Sequence, residues 1–373
     1  MFAGIGGIEL GLHRSGHETL LLNEFDASAS AVLEARFPGV RLTRDVRDLR
    51  SLPPETTLLT AGFPCQDLSQ AGRTKGIDGA KSGLIGEVFR LLARKRVGHV
   101  LLENVPFMLQ LSKGRALDLI VSELERLGYA WAYRVVDSRS FGLPQRRRRV
   151  YLLASRLLDP RKVLFADDAG VPEPIDANLR ACGFYWTEGI RGLGWAVDAV
   201  PTLKGGSTVG IPSPPAIVFP DGRIGKPALC DAERLQGFEA NWTAPACRAG
   251  RASLRWKLVG NAVTVDAAKW IGERLARPGD IDAPSMPLHR PGASWPTAAY
   301  NVGKGRRRVE ISEFPVANTW QSLASFLQYE PEPLSLRATE GFRSRTKRSS
   351  LRWPEGFIEK LDAYLDGLRS RAA

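Results

Sequence analysis

The chain has 373 residues, of which 43% are hydrophobic and 25% charged, as in a soluble globular protein long enough for two domains. Its formal net charge is +12 and its pI is about 9.8, which favours a polyanionic partner such as nucleic acid. Its few cysteines and histidines argue against a zinc site or a disulfide framework and suit a reducing cytoplasm, and the sequence shows neither a signal peptide nor an apolar run of membrane length.

A glycine-rich loop opens the chain. Residues 2–7 read Phe-Ala-Gly-Ile-Gly-Gly and lead into a helix predicted at 8–14, which suits a ligand close to the backbone, although a structural turn explains the pattern equally well. An apolar strand predicted at 18–24 ends in Glu24, where nucleotide-binding sheets hold ribose hydroxyls. Phe25 follows and could stack on a base. The alternative is that Glu24 is only a solvated strand end.

Strand and helix patterns alternate through the first 157 residues. Further strands are predicted at 40–43, 58–61, 97–102, 129–136 and 145–154, and further helices at 26–37, 83–95 and 115–127. Such alternation predicts an α/β fold with a doubly wound, mostly parallel sheet.

Reactive side chains follow two of these strands. Cys65 lies just after the strand at 58–61, in the segment Gly-Phe-Pro-Cys-Gln, and Glu103 ends the strand at 97–102. A lone cysteine at such a boundary is usually a small buried hydrophobe, but the carboxyl ends of strands are also where α/β sheets build their sites. A thiol with an acid and no histidine suits addition to a ring that is protonated as it is attacked.

Four arginines, Arg146 to Arg149, open the last of these strands. Such a run usually forms a solvated face or a phosphate clamp. Because alternate residues of a strand share a face, Arg147 and Arg149 are expected on one face of the strand, and Arg146 and Arg148 on the other.

The alternation of strands and helices stops near residue 157. Residues 158–230 are rich in glycine and proline and predict short strands and exposed loops, and helical order returns from residue 231 to about 277. Residues 278–373 begin with a proline- and glycine-containing linker and carry the basic runs 306–308 and 343–348. The sequence thus predicts a second, irregular module followed by an extension.

Six segments occur in the order typical of one enzyme family: Phe-Ala-Gly-x-Gly-Gly, Pro-Cys-Gln, Glu-Asn-Val, Gln-x-Arg-x-Arg, Arg-Leu-Gln-Gly-Phe and Gly-Asn. Together they resemble the DNA (cytosine-5)-methyltransferases over residues 1–277. The resemblance implies a Rossmann-like, S-adenosylmethionine-dependent catalytic domain at 1–157 completed by 251–277, a smaller target recognition domain at 158–250, and a C-terminal extension of unknown role at 278–373.

The resemblance also assigns the catalytic residues. Cys65 is expected to be the nucleophile that adds to C6 of a flipped-out cytosine, so that C5 takes the methyl group. Glu103 matches the acid that protonates or hydrogen-bonds N3. Arg149 matches the arginine that holds the cytosine O2, and Arg147 matches one that supports the site. The loop at 66–83 is expected to close over DNA.

Binding residues follow from the same resemblance, and no metal is implied. For S-adenosylmethionine they are Phe2, Gly4, Gly6, Glu24, Phe25, Asp45, Val46, Pro64, Asn261 and Val263. For DNA they are Gln66, Ser69, Arg73, Arg191, Lys204, Gly205, Gly206 and Ser207. The recognition loop near Lys204 either reads bases in the major groove or contacts only the DNA backbone.

The implied partner is double-stranded DNA, with a cognate restriction endonuclease or defence system as a functional partner, in a cytoplasmic monomer that needs no membrane. Restriction-modification, solitary methylation and phage defence all fit. An RNA cytosine-5 methyltransferase on the same fold is one alternative, and a non-catalytic DNA-binding protein is another.

One departure concerns the start of the chain. In the family, a complete strand ending in an acid and a hydrophobic residue precedes the motif at 2–7, but only Met1 precedes it here. The expectation is that the true start lies upstream, in which case an extended protein should melt higher and bind S-adenosylmethionine more tightly. The alternative is that another segment, such as the tail, fills the place of this strand.

Overall fold

The structure is a computed structural model that describes residues 1–64, 83–176, 180–206, 213–251, 253–281, 287–290 and 292–372. It divides into two compact units. Unit 1 comprises Met1–Ser140, Arg148–Val171 and Val263–Val316, and unit 2 comprises Phe141–Arg147, Pro172–Ala262 and Ala317–Ala373. No helix among the described residues is both long and apolar enough to cross a membrane.

Helices and strands are numbered in chain order over the described residues. The α-helices are α1 (Gly7–Arg14), α2 (Ala27–Arg36), α3 (Leu84–Arg94), α4 (Arg115–Arg126), α5 (Arg161–Leu164), α6 (Leu229–Arg234), α7 (Leu254–Asn261), α8 (Val265–Ala276), α9 (Leu323–Phe326), α10 (Leu336–Arg348) and α11 (Phe357–Ala372). The strands are β1 (Leu21–Asn23), β2 (Arg41–Thr43), β3 (Leu58–Ala61), β4 (His99–Asn104), β5 (Ala130–Asp137), β6 (Gln145–Arg146), β7 (Arg148–Ser155), β8 (Cys182–Phe184), β9 (Trp195–Val197), β10 (Val200–Pro201), β11 (Ala216–Val218), β12 (Ile224–Lys226), β13 (Ala298–Asn301), β14 (Arg307–Arg308) and β15 (Glu332–Pro333). Short 3-10 helices lie at Val46–Asp48, Pro106–Leu109, Leu111–Gly114, Ser138–Phe141, Ile190–Gly192 and Ala244–Arg248.

Unit 1 is built on a six-stranded sheet in the order β14-β13-β5-β7-β4-β3. Among the described strands of this sheet, only β3 and β4 pair in parallel, because β7 runs antiparallel to both β4 and β5, and β13 and β14 add further antiparallel pairs. A separate parallel pair is formed by β1 and β2. The α/β class is confirmed, but the prediction of a mostly parallel sheet is wrong.

The reversal at β7 has a local cause. Between the end of β5 at Asp137 and the start of β7 at Arg148 there is only a short 3-10 turn and β6, and no α-helix. A parallel connection needs a crossover of about a dozen residues, usually a helix, so this short link returns the chain antiparallel to the strand it has just left. An alternating apolar run does not reveal its direction in a sheet.

The helices of unit 1 are positioned by a helix cap and by close packing between helices. Asp26 caps α2 by accepting hydrogen bonds from the backbone amides of Ser28 and Ala29. The helix α8 packs on α1, where a side chain at Gly11 would come within 2.3 Å of the carbonyl oxygen of Val265. The helix α8, within the segment 251–277, therefore lies beside the first helix of the chain.

The first three residues lie between β1 and β3. The amino group of Met1 donates to the carbonyl oxygen of Thr60 at 2.6 Å, and the amide of Ala3 donates to that of Asn23 at 3.0 Å. A cavity of about 300 Å³ adjoins Met1 between these two strands. The tail strands β13 and β14 lie at the opposite edge of the sheet from β3, so within the described residues the tail does not fill this place.

Unit 2 contains an antiparallel five-stranded sheet in the order β15-β12-β11-β8-β9, together with the parallel pair β6 and β10. Its core includes an aromatic cluster in which the ring of Phe184 lies 4.6 Å from that of Phe342 and 5.3 Å from that of Phe357. Both partners come from the predicted C-terminal extension. Residues 278–373 are thus divided between the units, with β13 and β14 in the sheet of unit 1 and α9 to α11 in the core of unit 2.

Candidate active site

A buried acid and an arginine meet at the carboxyl end of β4. The guanidinium Nε of Arg149, near the start of β7, lies 3.1 Å from Oε1 of Glu103, and the two side chains are 11% and 10% exposed. The antiparallel register holds them together, because Glu103 pairs with Tyr151 and Asn104 with Val150. An acid and a cation are therefore fixed side by side with a narrow opening to solvent.

The end of β3 lies against this pair. A Cβ atom built on Gly62 would sit 3.5 Å from Oε2 of Glu103, and the side-chain amide of Asn104 donates to the carbonyl oxygen of Phe63 at 2.9 Å. The exposed Pro64 comes next. The structure therefore brings the strand that leads into the predicted nucleophile up to the predicted acid. Cys65 itself lies outside the described residues, as do Gln66, Ser69 and Arg73.

The arginine run alternates in burial as predicted. Arg147 is 1% exposed and the side chain of Arg149 is 11% exposed, whereas Arg146 and Arg148 are exposed. Arg148 forms an ion pair with Glu313 of unit 1. The alternation expected from a strand is thus confirmed.

Arg147 is engaged by backbone carbonyl groups of unit 2. It donates to the carbonyl oxygens of Leu203 at 3.0 Å and Gly260 at 3.3 Å, and also to that of Ala262. The recognition loop begins at Leu203, and the Gly-Asn segment contains Gly260. The guanidinium therefore joins these two segments.

Gln145 reinforces the same junction, although no role was predicted for it from the sequence. The side-chain oxygen of Gln145 accepts from the backbone amide of Leu203 at 3.0 Å, and its side-chain amide donates to the backbone carbonyl oxygen of Leu235 at 2.8 Å. Gln236, in the Arg-Leu-Gln-Gly-Phe segment, donates to the carbonyl oxygen of Val259 at 2.8 Å. The only signal for these residues is their place in the six family segments.

The glycine loop at residues 2–7 is hydrogen-bonded to the side chain of Glu24. The carboxylate of Glu24 accepts from the amides of Gly4 and Asp26, each at 2.8 Å. Burial raises the pKa of Glu24, while these two donors oppose the rise. The loop needs positive φ at Phe2, Gly4 and Gly6 (54°, 57° and 83°), and only the two glycines adopt this conformation without strain.

Next to this carboxylate the ring of Phe25 is 70% exposed. Among the described residues, a Cβ built on Gly4 would meet no atom within 4 Å, whereas one on Gly6 would come within 2.4 Å of the ring of Phe37. The surface beside Gly4 is therefore open, and the packed side of the loop faces α2. A carboxylate, an exposed aromatic ring and an open backbone surface fit a nucleoside ligand.

The other predicted cofactor residues lie at element ends. Asp45 caps the 3-10 helix that begins at Val46, and hydrogen bonds from Arg47 lower the pKa of Asp45 to about 2. Val46 is buried. In unit 2, Asn261 is exposed at the end of α7, and in unit 1 Val263 is half-buried ahead of α8.

The predicted recognition loop is held by a contact that the sequence did not show. Lys204 forms an ion pair with Glu188 at 3.0 Å, and its ammonium lies 3.9 Å from the ring centre of Tyr185. The chain at Gly205 passes so close to α7 that an added Cβ would come within 2.3 Å of the side-chain oxygen of Asn261. Gly206 follows with a φ of 147°.

Two further residues were predicted to contact DNA. Arg191 is exposed on the 3-10 helix Ile190–Gly192 of unit 2, and Ser207 lies outside the described residues.

The chain is similar to several known proteins. A family model described as C-5 cytosine-specific DNA methylase matches residues 1–173. Type II methyltransferase M2.BsuMI of Bacillus subtilis (strain 168) is 47% identical over 383 residues, which cover 98% of this chain and 97% of that protein. Type II methyltransferase M.Bsp6I of Bacillus sp. (strain RFL6) is 33% identical over 184 residues, covering 48% of this chain and 58% of that protein. The crystal structure of S. pombe Dnmt2 methyltransferase matches with a TM-score of 0.51 at 15% identity, covering 74% of this chain and 96% of that chain, which indicates a shared fold.

Proposed function

The chain belongs to the C-5 cytosine-specific DNA methylase family, and from this premise we propose that it transfers the methyl group of S-adenosylmethionine to C5 of a flipped-out cytosine in a specific duplex DNA sequence. Its whole-length similarity to a type II methyltransferase makes it a DNA cytosine-5 methyltransferase of the restriction-modification type. The observation that carries the finer proposal is the Glu103–Arg149 pair at the end of β4, beside the end of the strand that leads to Cys65.

Cys65 acts as the nucleophile in this proposal. Its thiolate adds to C6 of cytosine, which makes C5 electron-rich so that C5 accepts the methyl group. A base then removes the C5 proton, the C5–C6 double bond re-forms, and the thiolate leaves. The position of Cys65 three residues beyond Gly62, which adjoins the Glu103 carboxylate, supports this role.

Glu103 and Arg149 hold the ring while it is attacked. The protonated form of Glu103 donates its proton or a hydrogen bond to N3, which offsets the negative charge that develops during addition, and the guanidinium of Arg149 binds O2. The ion pair of 3.1 Å keeps both groups in place before the substrate arrives. Because both side chains are about nine-tenths buried, their charges are weakly screened by water.

S-adenosylmethionine supplies an electrophilic methyl group when bound. The residues present fit it: Glu24 offers a carboxylate to ribose hydroxyls, Phe25 offers an exposed ring to the adenine, and the open backbone at Gly4 leaves room. The proposed set of S-adenosylmethionine-binding residues is completed by Phe2, Gly6, Asp45, Val46, Pro64, Asn261 and Val263.

Unit 2 is the proposed target recognition domain. The loop at Lys204 to Gly206 is its candidate reader, and Arg147 and Gln145 fix the start of that loop. Arg191, Gln66, Ser69, Arg73 and Ser207 remain proposed DNA contacts. Extrusion of the cytosine is part of the proposal because C6 cannot be reached within a stacked duplex. A partner endonuclease and a cytoplasmic location are proposed from the type II relatives.

A parallel methylation assay tests this function. The purified chain is incubated with methyl-labelled S-adenosylmethionine and either mixed-sequence duplex DNA or total tRNA, and bisulfite sequencing then locates the modified cytosines. The expected result is label at C5 of cytosine in DNA, within one short sequence. Label in tRNA alone would support an RNA methyltransferase, and DNA binding without any label would support a non-catalytic protein.

A further inference from the structure

The C-terminal helices form part of unit 2 rather than an appended tail. On α10, Thr339, Phe342 and Thr346 are buried, and the ring of Phe342 packs on Phe184 of β8. The spacing of three and four residues places these side chains on one face of the helix. The opposite face therefore remains at the surface of the recognition unit.

Two carboxylates of these helices are already paired with arginines. Asp362 lies 2.5 Å from Arg343, and Glu340 lies 3.0 Å from Arg369. Their negative charges are thus largely neutralised within the helix pair. They are not available to balance arginines elsewhere on the surface.

Four other arginines, which we call the basic strip, have a different environment: Arg191, Arg345, Arg348 and Arg352. Within the part of the chain that the structure describes, none of the four lies within ion-pair distance of a carboxylate. Burial, followed by the charge of Arg348, lowers the pKa of Arg345. Arg345 and Arg348 are three residues apart on α10, so two like charges lie near each other without a described anion between them, an arrangement that an external anion would stabilise.

The basic strip is held together by two chain segments that contact each other. Arg345 donates to the carbonyl oxygen of Trp186, and the indole of Trp195 donates to the carbonyl oxygen of Arg352 at 2.9 Å. Between these contacts, the 3-10 helix that carries Arg191 packs on α10. The four arginines thus share a fixed surface that joins residues 186–195 to residues 345–352.

This surface continues into the recognition loop. Tyr185 and Glu188 closely precede Arg191, and both hold Lys204, by ring contact and by ion pair. The hydroxyl of Tyr185 also donates to the carbonyl oxygen of Thr202 at 2.8 Å. A single segment of chain therefore links the candidate base-reading loop to the basic strip.

We propose that the basic strip binds phosphates of the DNA that flanks the target cytosine, so that α10 and the turn after it extend the DNA-binding surface beyond the recognition loop. The planar guanidinium matches a phosphate in two-pronged geometry, and a protein of net charge +12 has an electrostatic reason to hold DNA on such a face. This inference rests on the proposed function.

The test compares two triple variants of the full chain that lose the same charge. The strip variant carries Arg191→Gln, Arg348→Gln and Arg352→Gln. The control variant carries Arg223→Gln, Arg369→Gln and Arg371→Gln, all exposed in unit 2, of which the first two are already paired with carboxylates. Duplex DNA affinity is measured for each variant and for wild type from low to high salt.

Each lost phosphate contact reduces the slope of log K against log salt by about 0.9, so the strip variant should lose about 2 to 3 units of slope and on the order of 10²-fold in affinity at 0.1 M salt. The salt slope of the control variant should differ from that of wild type by less than the value for one phosphate contact, about 0.9. Both should retain the wild-type affinity for S-adenosylmethionine and the wild-type target sequence. Retention of target sequence separates loss of phosphate contacts from loss of base reading.

Equal salt slopes for the strip variant and wild type would overturn the inference. If the strip variant is poorly folded, the single variants Arg348→Gln and Arg352→Gln replace it, each with an expected slope change of about 0.9. Failure of the proposed function is visible separately, because wild type would then bind DNA without methylating it, whatever the slope of the variants.

Discussion

Replacing Arg147 by methionine should destabilise unit 2 more than any neighbouring substitution. The Arg147 guanidinium is 1% exposed and donates to carbonyl oxygens of Leu203, Gly260 and Ala262. Methionine has a similar length and no donors, so all three carbonyl groups lose this partner. Lysine keeps the charge, but a single ammonium cannot reproduce the planar fork of a guanidinium.

The three hydrogen bonds of Arg147 set the size of the expected loss in the free energy of unfolding. Leaving a buried acceptor unpaired costs about 1–3 kcal/mol, so three carbonyl groups give a loss of roughly 3–9 kcal/mol, with the lower half expected if water enters the gap. A loss of that size is comparable with the whole stability of a typical domain, about 5–15 kcal/mol. Arg147→Lys should fall between wild type and Arg147→Met.

Urea-induced unfolding followed by circular dichroism measures the loss. Arg146→Met is the matched control, because Arg146 is the adjacent residue, has the same side chain and is exposed. In the lysine variant, DNA affinity should fall while affinity for S-adenosylmethionine is kept, since Arg147 anchors the recognition loop at Leu203. If Arg147→Met and Arg146→Met unfold at the same urea concentration, the reasoning about these carbonyl contacts is refuted.

Three further outcomes are expected. Glu103→Gln should slow methyl transfer by about 10²-fold or more while keeping cofactor affinity, and a collapse of that affinity would make Glu103 structural. Burial raises the pKa of Glu24, so the affinity of wild type for S-adenosylmethionine should fall as the pH falls through that raised pKa. The Glu24→Gln variant should bind S-adenosylmethionine weakly and with little pH dependence. A wild-type affinity that does not change with pH would count against the contact between Glu24 and the ribose. Ending the chain at residue 334 should unfold unit 2, as judged by proteolysis, because Phe184 loses Phe342 and Phe357; a protease-resistant, active product would disprove this.

Strongly patterned elements could be predicted from the sequence. The apolar run before Gly62 forms β3 at the predicted residues, and the strand before Glu103 and the helices at 27–36 and 84–94 lie within a few residues of prediction. Local alternation and capping determine such elements. The direction of β7 and the pairing of β13 with β5 depend on contacts between distant residues, which no local pattern contains.

The candidate site likewise has some contacts that could be predicted from the sequence and others that could not. The order of motifs predicted that Glu103 and Arg149 act together, and the structure brings them within 3.1 Å. The partners of Arg147 lie 56 to 115 residues away along the chain, so their identity could not be read from an arginine run. The same is true of Lys204, because only the fold brings its partner Glu188 beside it.

Covalent trapping on 5-fluorocytosine tests the central claim most directly. Duplex DNA of mixed sequence that contains 5-fluorocytosine is incubated with the protein and S-adenosylmethionine. The mixture is then denatured, and the masses of the protein and of any protein–DNA adduct are measured by mass spectrometry. Wild type should form a denaturant-resistant adduct attached through Cys65, because fluorine at C5 prevents the elimination that releases the thiolate. Cys65→Ser should form none, since a hydroxyl is far less nucleophilic than a thiolate at neutral pH. An adduct that persists in the serine variant, or that maps to another residue, would contradict the proposed mechanism.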